Sequence, residues 1–132
     1  MPQIEVLVLP FQSKFVYSTK RYPALVAGIG TGKTYMLLLK IWSFCQENSN
    51  SLSLIVRKEF TDLRDSTIKD FERYFEVKIS SDKNCKFPNG SVIMFRHASE
   101  IAVLKNINLS IFGLEQAEEF EDDSTFTIIL DR

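Results

Sequence analysis

Histidine occurs once in this chain, at His97, and cysteine twice, at Cys45 and Cys85. A zinc site of the usual His/Cys kind cannot be assembled from that set. The two cysteines form no CxxC pair, and no secretory signal pattern precedes them, so a reduced cytosolic compartment is expected. Cys45 falls in an apolar run and reads as a core residue. Charge of one sign is also missing: 16 basic and 17 acidic residues leave a formal net charge of −1. There is therefore no overall basic field to announce nucleic acid, and composition lends no support to a local DNA-binding patch. No apolar run approaches the ~18 residues of a membrane span. The longest, around Met36–Cys45, is broken by Lys40 and Ser43.

What is present is ordinary globular material. Hydrophobic residues make up 45% of the 132 positions and charged residues 25%, which excludes disorder, and eleven Phe provide ample core. Ile4–Leu9 opens the chain with an apolar run. Ala24–Ala27 reads as a buried strand entering a glycine cluster. Tyr35–Gln46 carries helix formers at helical spacing, stopped by the turn-prone run Asn48–Ser51. Ser53–Arg57 predicts a second buried strand. From Phe60 to Phe75 the residues Phe60, Leu63, Phe71 and Phe75 form an apolar stripe among charges, which predicts an amphipathic helix. Phe87–Ser91 followed by Val92–Phe95 is a hairpin signal, because Asn89-Gly90 tolerates the positive φ of a tight turn. Leu109–Leu114 is a further strand, running into the acidic stretch Glu115–Asp123. The segment after Ser124 is divided between β-branched residues and a helix cap, with helix the chosen reading. Strands alternating with helices predict an α/β layer fold.

The strongest chemical signal is Ala27-Gly28-Ile29-Gly30-Thr31-Gly32-Lys33-Thr34. It fits the phosphate-binding loop in its looser form, with Ala27 where the strict pattern has Gly. Gly28, Gly30 and Gly32 let the backbone curl so that successive N–H groups face phosphate oxygens. The following helix adds its positive end at the same point. Lys33 supplies a point charge for the β- and γ-phosphates of ATP, and the Thr34 hydroxyl is a Mg²⁺ ligand. The bland alternative is a Gly-rich turn with a solvated lysine. Such a loop needs a second, acidic element, and Leu109–Leu114 ends in the carboxylate Glu115, which can hold the Mg²⁺ directly or through water.

These residues together resemble the large terminase subunits of tailed phages. That family follows the acidic strand with a pair of acids and a small residue, and this chain reads Glu115-Gln116-Ala117-Glu118-Glu119-Phe120. The resemblance implies a P-loop NTPase fold of the ASCE-like kind, three layers about a mainly parallel sheet, here incomplete at the C-terminus. Residues 1–132 would be the N-terminal part of the ATPase domain, with the nuclease domain absent. Gln12, within Leu9-Pro10-Phe11-Gln12, takes the position of the glutamine that reads the adenine edge, a task its amide suits. Ile55-Val56-Arg57-Lys58 followed by Leu63-Arg64-Asp65-Ser66 also falls in the family's order, as do Asn89-Gly90-Ser91, Phe95-Arg96 and Leu104-Lys105.

Two departures matter. Gln116 stands where the family's second acid orients the attacking water. An amide can position that water but not accept its proton, so either the general base passes to Glu118 or Glu119, of which Glu118 is taken, or hydrolysis is slow. Ile29 stands where many members carry an arginine, so charge on the γ-phosphate must be met by Arg57, Arg64 or a neighbouring subunit. The resemblance implies ATP and Mg²⁺ as cofactors. It implies double-stranded DNA, a portal ring, a small terminase subunit and further copies of the chain as partners, no membrane, and the host cytoplasm as location. A helicase-like ATPase, a nucleotide-binding module without turnover, and a fragment with too little sheet to fold stand as alternatives.

Overall fold

The computed structural model describes residues 33–101 and 107–116. Within them the chain runs α1 (Lys33–Glu47), β1 (Leu52–Arg57), a helical segment α2 (residues 60–75), β2 (Asn84–Lys86), β3 (Val92–His97), a short α3 (Ala98–Ile101) and β4 (Ile111–Leu114). The strand order is β2-β3-β1-β4. β1 lies between β3 and β4 and is parallel to both, while β2 is antiparallel to β3. The architecture is therefore α/β with a mostly parallel sheet, as the alternation of strands and helices predicts. The expected strand at Ala24–Ala27, the apolar opening Ile4–Leu9 and the helix after Ser124 lie outside the described residues.

Register determines which side chains share a face. Ser53, Ile55 and Arg57 of β1 pair with Ile93, Phe95 and His97 of β3, and Ser53 and Ile55 pair with Ile111 and Gly113 of β4. Ile55, Ile93, Phe95 and Ile111 pack beneath α1 and α2 in the larger core. Leu54, Val56, Met94 and Ile101 form a second apolar cluster with Ile107, Leu109, Phe112 and Leu114. Alternation with period two thus sorts one strand's residues between two cores. Under the helices the packing is aromatic. Trp42 stacks on Phe75 with ring centroids 4.5 Å apart and touches Phe71 and Phe87. Phe71 meets Phe95 edge-on at 5.0 Å.

α1 ends where the sequence predicts, for a physical reason. The Phe44 carbonyl accepts from both the backbone N–H and the side-chain amide of Asn48, and the Asn89 amide donates to the Cys45 carbonyl, one of the last carbonyls of the helix. Ser91 Oγ donates to the Asn48 carbonyl at 2.6 Å and lies 3.0 Å from Ser51 Oγ. These contacts tie the end of α1, the start of β1 and the β2–β3 hairpin together, at the opposite end of the sheet from Glu115.

Three local expectations are refined. The helix at 60–75 exists, but its middle, Leu63–Ile68, is a π-helical segment. Residues four apart on an α-helix drift by about 40° at 100° per residue. The wider π turn rotates less per residue, so Leu63, Thr67, Phe71 and Phe75 all reach the buried face. Phe60, assigned to the apolar stripe, is instead exposed (37%), lying beyond the edge of the core among Arg64, Lys83 and His97. The hairpin turn takes its positive φ at Gly90 alone (φ +89). The Gly90 N–H donates to the Phe87 carbonyl and the Phe87 N–H to that of Ser91, giving a three-residue loop. Finally, β4 begins at Ile111, not Leu109. The Ser110 hydroxyl accepts the Leu52 N–H that a strand carbonyl would otherwise take.

Candidate functional site

In open parallel sheets ligands gather at the carboxyl ends of the strands, and two of the residues singled out in the sequence meet there. Thr34 lies in the first turn of α1, and Glu115 directly follows β4. Thr34 Oγ1 donates to Glu115 Oε1 at 2.6 Å, across 81 residues of sequence. The Glu115 side chain is buried (3% exposed), and its N–H donates to the Val56 carbonyl, so the carboxylate is held by an extension of the β-ladder. α1 approaches β4 closely because residue 113 is glycine. A Cβ there would lie 2.8 Å from Leu37 Cδ1.

The pair suits a hard divalent cation. A hydroxyl and a carboxylate are the oxygen donors that Mg²⁺ accepts, and two protein ligands are what it takes when phosphates and water complete the shell. The hydroxyl donates to the carboxylate, so the two oxygens face one point. Among the described residues no group of three or more His, Cys, Asp or Glu could hold a metal. The thiols offer no nucleophile there. Both are free and buried, and burial raises the Cys45 thiol and pushes that of Cys85 up to about 12.

Gln12, Gly28, Ile29, Gly30, Thr31, Gly32 and Glu118 lie outside the described residues, as does the Lys33 side chain; the Lys33 backbone opens α1. Gln116 is left-handed (φ +55), so the chain turns sharply straight after Glu115. The two arginines left open by the sequence separate clearly. Arg64 is exposed, pairs with Asp65 at 2.7 Å and covers the Phe60 ring. Arg57 is half-buried on the α1 side of β1 and donates from Nη1 to Thr67 Oγ1 at 3.3 Å. Thr67 is a residue that sequence reasoning missed. It is a polar side chain on an apolar stripe, fully buried, and the π segment brings it inward.

A helix N-terminus set against an acidic strand end of a mostly parallel sheet defines an α/β protein whose candidate site lies at the strand termini. Residues 19–132 match the family described as phage terminase large subunit. The chain is also similar to the PBSX phage terminase large subunit of Bacillus subtilis (strain 168), with 31% identity over 120 residues, 83% of this chain and 28% of that protein. It belongs to the phage terminase large subunit family. It spans little more than a quarter of the length of this curated relative. No solved structure matches it significantly.

Proposed function

We propose that this chain binds Mg-ATP and forms part of the ATP-driven motor by which a phage terminase packages double-stranded DNA into a procapsid. The observation that carries the reading is the 2.6 Å contact between Thr34 Oγ1 and Glu115 Oε1. A hydroxyl at a helix N-terminus beside a buried strand-end carboxylate is the ligand set of a P-loop NTPase fold. Membership of the terminase family supports the same assignment. The backbone of Gly28–Gly32 would enclose the phosphates, Lys33 would neutralise the β- and γ-phosphates, and Gln12 would hold the adenine edge. Thr34 and Glu115 would hold Mg²⁺, which when bound neutralises charge developing on the transferred phosphoryl group. Glu118 would take the proton of the attacking water, with Gln116 unable to do so. In the complete protein the partners would be DNA, a portal ring, a small terminase subunit and further copies of the chain, in the host cytoplasm.

Calorimetric titration of the chain with Mg-ATP tests this, with Lys33→Ala and Glu115→Gln alongside. Binding in the micromolar to sub-millimolar range is expected. Lys33→Ala should abolish it, and Glu115→Gln should weaken its Mg²⁺ dependence. A chain that is folded by circular dichroism yet binds no nucleotide overturns the reading.

A further inference from the structure

We propose that Arg57 belongs to this site and senses the terminal phosphate of the nucleotide, with Thr67 holding its guanidinium in position. The inference rests on the Mg-ATP reading and chooses Arg57 among the cations that the sequence left open for the γ-phosphate.

Sheet register carries the argument. β1 and β4 pair in parallel from Ser53↔Ile111 to Val56↔Leu114, and the Glu115 N–H bond to the Val56 carbonyl extends the ladder one step. Arg57 therefore lies beside Glu115, about 4.8 Å away across the sheet. Parity then decides the face. Ile55 and Ile111 pack under α1, and Gly113 abuts Leu37 of α1, whereas Leu54, Val56, Phe112 and Leu114 face the other core. Arg57 and Glu115 consequently project from neighbouring strands, at the same end, on the face that carries Thr34.

The chemistry fits a phosphate. Thr34 and Glu115 would hold Mg²⁺, so the terminal phosphates of the nucleotide would lie at this end of the sheet. A cation one strand away can reach the terminal phosphate, whereas the base and ribose lie at the other end of the nucleotide. Arginine brings five N–H donors in a rigid fork matched to phosphate oxygens. Thr67 Oγ1 accepts from Nη1 and so orients the fork. The π segment serves this purpose, because it puts a hydroxyl on a stripe otherwise built from Leu63, Phe71 and Phe75. A purely structural role, tying β1 to α2, would leave Arg57 indifferent to which nucleotide is bound.

Calorimetric titration with Mg-ADP and with the magnesium complex of AMP-PNP, a non-hydrolysable triphosphate, separates the two roles. The wild-type chain, Arg57→Ala, Arg57→Lys and Thr67→Val would be compared, with circular dichroism as the check on folding. Arg57→Ala should weaken AMP-PNP about tenfold or more and change ADP by less than about twofold, as expected for one charge-assisted hydrogen bond to the terminal phosphate. Arg57→Lys should recover part of the loss, and Thr67→Val should give a smaller loss on AMP-PNP alone. Equal losses on both nucleotides, or none on either, would overturn the proposal while leaving the Mg-ATP reading intact. If Arg57→Ala does not fold, Arg57→Lys and Thr67→Val make the same comparison. A folded wild-type chain that binds neither nucleotide ends both readings.

Discussion

Glu100 gathers several donors onto one carboxylate. Lys83 Nζ reaches both of its oxygens, at 2.8 and 2.7 Å, and the His97 N–H donates to Oε1 at 3.0 Å. The last contact caps α3, since a glutamate in the first turn reaches back to the amide that precedes the helix. His97 Nδ1 lies 2.7 Å from the same oxygen but is not aligned for a hydrogen bond. Burial by itself raises the Glu100 carboxyl, yet the bonds from Lys83 and His97 and the Lys83 charge outweigh it, and the group lies below its ordinary 4.5. A depressed carboxyl contributes stability that is complete above the unfolded-state value and is lost as pH falls through the folded one. Urea midpoints measured across the acid range should therefore fall below pH 4.5 for the wild type. Glu100→Gln should be less stable at neutral pH and lose less on acidification. An identical acid profile in both proteins would mean that the Lys83–Glu100 pair contributes nothing.

Among the elements, aromatic contacts centred on Trp42 join α1 to α2 and to the hairpin loop. Its ring lies nearly parallel to that of Phe75, with 5° between the planes, and it also touches Phe71 and Phe87. Only 6% of it is exposed. Trp42→Ala should cost about 3–5 kcal/mol, because the cavity sits where two helices and the hairpin meet and cannot collapse without moving one of them. Chemical denaturation would measure this, and a loss below about 1 kcal/mol would show that these elements repack around the gap. The same elements mark how far periodicity could be read. The helix over 60–75 was legible from Leu63, Phe71 and Phe75, but its π segment was not. Helical spacing assigns Phe60 to the buried stripe and passes over Thr67, and the structure reverses both.

At the scale of the whole molecule, the candidate site depends on how closely α1 packs against β4. Gly113 sets that distance, since even a Cβ would meet Leu37 Cδ1 at 2.8 Å. Gly113→Val should push α1 away from the sheet, part Thr34 from Glu115 and weaken Mg-ATP binding, while costing about 1–3 kcal/mol of stability through overpacking. Gly113→Ala should do less, because the end of the Leu37 side chain can move. Calorimetry with circular dichroism on both variants would check this. Unchanged affinity in a folded Gly113→Val protein would show that the helix-to-strand distance does not control the site.

Sequence alone was enough to name Thr34 and Glu115, because a helix start after a glycine loop and an apolar strand ending in a carboxylate are local patterns set by backbone propensity and side-chain period. It was also enough to predict α1, β1, the β2–β3 hairpin and the α/β class. Only the tertiary structure decided what those residues meet. The parallel pairing of β1 with β4 brings Glu115 beside Arg57, and the approach of α1 brings Thr34 to Glu115 across 81 residues. Strand order and side-chain parity follow from how the two cores fill on either side of the sheet, a property of the whole packing that no single window of sequence contains.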